Sequence, residues 1–372
     1  MAASRAKGSP PLPLLPLRSH PLRPRTMAWA VGRCLFAFNT ETSVWEQCKR
    51  EAHSDAIRAL DAAVLPHGEQ PSPSSAESSA TVYWLSAGDD KQVVVWRESS
   101  SDSWQRQWEL SHSKKVVAAL FDPNRDVLFA DRFGDVYRWS LHMTKADEGD
   151  SAEPQLLFSH LAIVTAMVMT ESGRFVITGD NHEKIRVTCY PQAAEIHSFC
   201  LGHLGQITSL ACAGDEFIVS TSSDCTLRVW QLEDGQQILS HSLGAAVSSL
   251  CRVAENAVVV CCETAPGLRH ISFNSPGLSA VSDVSPLSQE VPQAVSVMPV
   301  AGSNHVIWVD QGGHLRYPPA AGNTTAEWCR ISVGEDLPPA LVSLSKFTDP
   351  DYAEEAVGDD DAQPQPRKRR PK

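Results

Sequence analysis

The sequence of 372 residues predicts an all-β fold, a seven-bladed β-propeller with disordered N- and C-terminal tails. Three observations predict it. Short β-branched runs alternate with Gly/Asp/Ser turns and leave almost no long helical periodicity. A histidine recurs at the start of similar segments, and a turn motif recurs at the ends of their strands.

The tails set the limits of the body. Residues 1–26 hold six prolines and five Lys/Arg but no acid, and residues 349–372 pass from an acidic stretch into "RKRRPK". Neither can bury enough apolar surface to fold, so residues 27–348 form the expected propeller. An Arg-bearing, acid-free start suits an organellar transit peptide as well as a plain extension upstream of Met27. The cluster Arg367, Lys368, Arg369 and Arg370 reads as a nuclear address, which predicts a nuclear protein, or as a weak, salt-sensitive contact to nucleic-acid phosphates.

Formal charge is −12 overall and about −15 on the body. Such a body does not collect polyanions by itself, so a nucleic-acid role calls for a more basic partner. The ten cysteines lie mostly inside apolar runs and contain no C-x-x-C pair, as expected for small buried hydrophobes in a reducing compartment. No apolar run reaches the ~20 residues of a membrane-spanning helix.

Residues 201–236 give the clearest repeat: "LGHLGQITSLACAGDEFIVSTSSDCTLRVWQLEDGQ". A Gly-His pair, three strands and S-x-D-x-T-L-R-V-W make it resemble a WD repeat. Its polar residues can form a buried chain in which Asp224 accepts from His203, His203 meets Ser220, and Ser220 reaches the Trp230 indole. That reading makes the four residues structural.

The other copies follow in order. His53, His112, His160, His203 and His241 open successive segments at intervals of 59, 48, 43 and 38 residues. Aligning "DKQVVVW", "FGDVYRW", "HEKIRVT" and "DCTLRVW" as inner strands puts Asp90, Phe133, His182 and Asp224 in one turn slot. Gly312 takes that slot downstream, a degenerate blade fits around "NAVVVCCETAPGLRHISF", and "CLFAF" matches a first blade. Seven blades of about 46 residues result. A Ser/Pro-rich loop at 68–81 explains the longest interval, and the run "PALVSLSKF" is expected to complete the first blade.

The chain has no G-x-G-x-x-G after a strand, no P-loop, no G-x-S-x-G elbow and no zinc-ligand spacing. No catalytic residue, metal or cofactor is therefore expected, and the fold points to an interaction platform.

Three blades share a departure from the ordinary repeat, an aspartate two residues before the turn slot: Asp131, Asp180 and Asp310. With "LFADRFGDVYRWSL" at 128–141 and "GRFVITGDNHEKIRVTCYPQAAEIHSFCLGH" at 173–203, the chain resembles the WD-repeat, non-catalytic subunit of the tRNA (guanine-N7-)-methyltransferase. The resemblance covers mainly residues 110–235. It implies a WD40 propeller that is not itself an enzyme and that binds a separate S-adenosylmethionine-dependent catalytic subunit as a heterodimer. The complex would form 7-methylguanine in the tRNA variable loop, at tRNA position 46. It further implies that Glu183, Lys184 and Arg186 of the E-K-I-R-V hairpin, with Arg132 in the preceding blade, face that subunit. Asp180 and His182 are included, although His182 stands where the family usually has an acid.

The plainer alternative for each is a solvated hairpin charge, and Arg186 could merely stiffen the hairpin by pairing with Asp180 or Glu183. Contact with tRNA is expected mainly through the complex, with no membrane and no small-molecule substrate. The competing function is a general WD40 adaptor such as a ubiquitin-ligase substrate receptor, whose contacts would ignore this hairpin.

Overall fold

A computed structural model describes residues 17–23, 26–39, 44–49, 51–65, 81–98, 104–141, 153–263, 267–274, 277–287, 294–299, 306–310, 315–317 and 329–331. The strands form seven antiparallel four-stranded sheets, each made from consecutive strands. We number them by chain position: sheet 1 (17–49), sheet 2 (57–111), sheet 3 (116–159), sheet 4 (164–200), sheet 5 (207–242), sheet 6 (247–286) and sheet 7 (294–331). The first strand of each sheet lies innermost and touches the first strand of its neighbours around the ring, the first sheet meeting the last.

Alternation along each strand explains why the sheets stack. In sheet 4, Ile185 and Val187 pack with Ile207 and Ile218 of sheet 5, while Val176 packs with Leu128 and Val136 of sheet 3. One apolar cluster of this kind fills every seam between adjacent sheets. Each fully buried aliphatic or aromatic side chain contributes about 1.5–3 kcal/mol, so these clusters provide the main cohesion. At Gly179 the seam is too tight for a side chain, because a Cβ would sit 2.5 Å from Cγ2 of Ile207.

The expected seven-bladed propeller with a disordered 1–26 extension needs correction. Six blades, sheets 2–7, carry inner strands of six to nine residues. Sheet 1 is not a seventh copy of them. Its inner strand, Leu17–Ser19, has three residues and comes from the segment expected to be disordered, followed by Thr26–Val31 as second strand and Cys34–Asn39 as third. Closure comes from this N-terminal segment: Leu17 packs with Met298, Ile307 and Val309 of sheet 7. His20 then ties it to sheet 2, with Nε2 2.9 Å from Glu98 Oε2. The same carboxylate takes Arg23 and the Trp84 indole N–H, and Nδ1 of His20 accepts the backbone N–H groups of Leu22 and Arg23.

The strands aligned as inner ones are the third of their sheets, so "IRV" belongs to the third strand, Ile185–Cys189. The run "PALVSLSKF", Gly312, most of the 68–81 loop and the tail 349–372 lie outside the described residues.

Candidate functional site

Sheet 5 contains the expected polar chain. Nδ1 of His203 lies 2.9 Å from Asp224 Oδ2, Nε2 lies 2.8 Å from Ser220 Oγ, and the Trp230 indole donates to the same hydroxyl at 2.7 Å. A carboxylate only accepts, so His203 Nδ1 carries the proton and Nε2 accepts from Ser220. Burial alone would raise the Asp224 carboxyl, but hydrogen bonds from His203, Thr226 and the Leu204 N–H hold it well below the usual carboxylate range. Sheet 2 repeats the chain with His53, Asp90, Ser86 and Trp96 at 2.7–3.0 Å. Ser86, which no motif marks in the sequence, completes it.

In sheet 3, Phe129 stands where sheets 2 and 5 place the serine. It stacks on Tyr137 and meets His112 edge-on, and the buried indole N–H of Trp139 has no partner among the described residues. His112 pairs instead with Asp131, whose Oδ1 accepts the backbone N–H groups of Phe133 and Asp135. Sheet 4 follows the same plan. Asp180 Oδ2 faces His160 Nδ1 at 3.5 Å, its Oδ1 accepts from the His182 and Lys184 N–H groups, and His160 Nε2 meets Thr178 Oγ1 at 2.6 Å. The aspartates two residues before the slot therefore do the work of the missing slot aspartate: they orient the histidine and hold the turn.

Two of the expected partner-binding residues are turned inward. Asp180 is only 2% exposed and is fully used inside the sheet, so it shapes the hairpin and does not present itself. Arg186 is 9% exposed. Its position alternates with Ile185 and Val187, so the side chain leaves sheet 4 toward sheet 3, where its guanidinium lies 4.4 Å above the Phe158 ring. Nε donates to Thr188 Oγ1 and Nη1 to the Ser159 carbonyl. Among the described residues it pairs with neither Asp180 nor Glu183, and burial pulls its pKa below the ordinary arginine value. Arg186 is a clamp between two blades.

His182, Glu183 and Lys184 are exposed at the tip, while Arg132 is half-buried on the neighbouring hairpin. Glu183 holds a left-handed φ of +73°, the position at which sheet 3 has Gly134. The hairpins share one face of the ring, because each bonds the loop that leads into its own sheet: Arg132 N–H to Lys115 O, Asn181 N–H to Ile163 O and Ser223 N–H to Gln206 O. The structure thus brings Arg132 and the 182–184 tip to one rim. Arg367, Lys368, Arg369 and Arg370 lie outside the described residues.

That rim also carries exposed apolar groups, of which the sequence marks only Phe133, in the turn slot. Leu161 is 99% exposed, Leu204 73%, Leu201 62% and Phe133 60%, the last with Lys114 Nζ 4.3 Å above its ring. In sequence the three leucines look like ordinary strand-flanking residues, and only the loop geometry reveals them. Among the described residues no group of three or more His, Cys, Asp or Glu is placed to hold a metal ion.

The model of the tRNA methyltransferase TRM82 WD40 domain matches residues 142–291. The "tRNA (guanine-N(7)-)-methyltransferase non-catalytic subunit wuho" of Drosophila pseudoobscura pseudoobscura is 42% identical over 130 residues, 35% of this chain and 31% of the relative. The Anopheles gambiae protein of the same name is 26% identical over 224 residues, 55% of this chain and 56% of its own length. The chain thus spans from about a third to about half of these relatives. Among solved structures, the Myceliophteria thermophila Cps50 (Swd1) β-propeller domain aligns with a TM-score of 0.62 at 13% identity, over 81% of this chain and 95% of that one. The computationally designed Ika8 protein aligns at 0.59 and 16% identity, over 86% and 87%. At such identities these two speak for the fold alone.

Proposed function

We propose that this chain, which carries a WD40 domain of the TRM82 type, is the non-catalytic subunit of a tRNA (guanine-N7-)-methyltransferase. It has no chemistry of its own in this reading. It holds a separate S-adenosylmethionine-dependent catalytic subunit in a heterodimer and positions it for 7-methylguanine formation in the variable loop of tRNA, at tRNA position 46. Holding a reactive geometry is enough to explain a large rate effect without a contributed chemical group.

The observation that carries the proposal is the rim hairpin. Its charged tip, His182 to Lys184, is exposed on a turn fixed from behind by Asp180. Arg186 clamps its strand to sheet 3, which carries Arg132. The relatives named as non-catalytic wuho subunits support the same reading. The acidic body suits a basic partner, and tRNA is contacted mainly through the complex. Nuclear residence, through Arg367, Lys368, Arg369 and Arg370, belongs to the proposal as well.

Co-expression with the catalytic subunit tests it. The expected result is a co-purifying complex that methylates N7 of guanine in tRNA far faster than the catalytic subunit alone. Absence of both a complex and stimulation overturns the proposal.

A further inference from the structure

Exposed leucines scattered singly on a protein surface need no explanation. Those on this rim are not scattered. The residue after the blade histidine is Ser54 entering sheet 2 and Ser113 entering sheet 3, and the matching place entering sheet 6, after Leu243, is Gly244, but it is Leu161 entering sheet 4 and Leu204 entering sheet 5. The two leucines therefore occupy equivalent places on either side of the 182–184 hairpin tip.

Backbone geometry fixes them there. The loop with Leu161 rests on the sheet 3 turn, His160 N–H bonding Gly134 O, and reaches the hairpin where Ile163 N–H meets Asn181 Oδ1. On the far side, Cys200 pairs with Ile185, which sets Leu201 beside Lys184, and the Leu204 N–H is held by Asp224 Oδ2 at 3.0 Å. An exposed side chain on a braced backbone loses little freedom on binding. That is how interface anchors are made: apolar side chains around a small polar centre, from which they exclude water.

We propose that Leu161 and Leu204 are paired apolar anchors for the catalytic methyltransferase subunit, gripping it on both sides of the Glu183/Lys184 tip. The inference rests on the function proposed above. The occupant it implies has two apolar patches separated by a polar strip, with a basic group facing Glu183 and an acidic one facing Lys184. The hairpin then gives register and orientation, and the leucines provide most of the lifetime of the complex.

The test uses the full chain with Leu161→Ser and Leu204→Ser together, serine being what sheets 2 and 3 have in that place. Affinity for the catalytic subunit is measured by surface plasmon resonance, and the unfolding midpoint of the free chain by calorimetry. The expected result is a Kd raised about tenfold or more, mainly through faster dissociation, with the midpoint unchanged. Leu156→Ser, which changes an exposed leucine on the outer strand of sheet 3, should leave the Kd as it was. If the double variant binds like wild type while Glu183→Lys weakens the complex, the anchors are wrong and the docking reading stands. If wild type does not bind the subunit at all, both fall. Sedimentation of the free chain covers one further outcome: a wild-type dimer that the double variant dissolves would make the leucines a contact between copies and overturn the inference.

Discussion

Nδ1 of His160 lies 3.5 Å from Oδ2 of Asp180 in sheet 4, whereas Nδ1 of His203 lies 2.9 Å from Oδ2 of Asp224 in sheet 5. The same histidine is served from two different chain positions. Moving the carboxylate two residues back, from the turn to the end of the strand, keeps the buried histidine paired and releases the turn slot for His182. A buried structural role and an exposed charged tip thus separate in a stretch of nine residues, 179–187.

These carboxylates make the fold acid-sensitive. Asp90, Asp180 and Asp224 are all held below the ordinary carboxylate value, because hydrogen bonds from their histidines and backbone N–H groups outweigh the cost of burial. A depressed folded-state pKa stabilises the fold above the unfolded value of about 3.9, and that contribution is lost as pH falls through the folded value. Urea midpoints measured from pH 7 downward should hold until about pH 5 and then drop. Asp224→Asn should lower stability at neutral pH by about 1–3 kcal/mol and flatten the acid limb. An unchanged limb in that variant would show the chain of sheet 5 to be energetically idle.

The two buried indoles differ in what they bond. Trp230 donates to Ser220, while Trp139 has no partner among the described residues. Replacing either by Phe removes similar volume, but only Trp230→Phe breaks a hydrogen bond and leaves the Ser220 hydroxyl short of a donor. Chemical denaturation should find Trp230→Phe more costly than Trp139→Phe by about 1 kcal/mol. Equal costs would deny the bond any net value.

Glu183 occupies a left-handed conformation that favours glycine. Glu183→Gly should leave stability equal or raise it by up to about 1 kcal/mol. The same change should weaken association with the catalytic subunit, read as a higher Kd. A more stable chain that binds less well is the signature of strain retained for function, and a variant that binds as well as wild type would remove Glu183 from the interface.

Arg186→Leu should act through the seam between sheets 3 and 4. It loses the bonds to Thr188 and Ser159 and the stack on Phe158, and should lower stability by about 1–2 kcal/mol. Glu183→Lys, at an exposed tip, should leave the unfolding midpoint where it is. If Arg186→Leu melts like wild type yet no longer binds, the guanidinium reaches the partner directly.

Much of this was legible in the sequence because its chemistry is local and repeated. His203, Ser220, Asp224 and Trp230 declared themselves through spacing, since a buried polar chain tolerates few substitutes. The exposed tip at Glu183 and Lys184 could be read from the charge of the turn. Arg186 could not, because the same pattern fits a surface pair or a buried clamp, and only packing against Phe158 decides. Leu17 was hidden by composition: its neighbours are prolines and arginines, and its apolar contacts lie with Ile307 and Val309 at the other end of the chain. Leu161 and Leu204 were hidden for the opposite reason, since a leucine beside a strand is ordinarily core.

The seam made by Leu17, Ile307 and Val309 also bears on how the chain is synthesised. Sheets 2 to 6 consist of strands adjacent in sequence and can form as the polypeptide emerges, but the ring cannot shut until sheet 7 has left the ribosome. Closure then waits on contacts of very large sequence separation, the slowest kind to form. Throughout that interval Trp29 and Met27 on one side and Ile307 and Val309 on the other remain uncovered, so the nascent chain passes through a sticky, open-ring stage in which chaperone capture or mispairing with a second copy competes with folding.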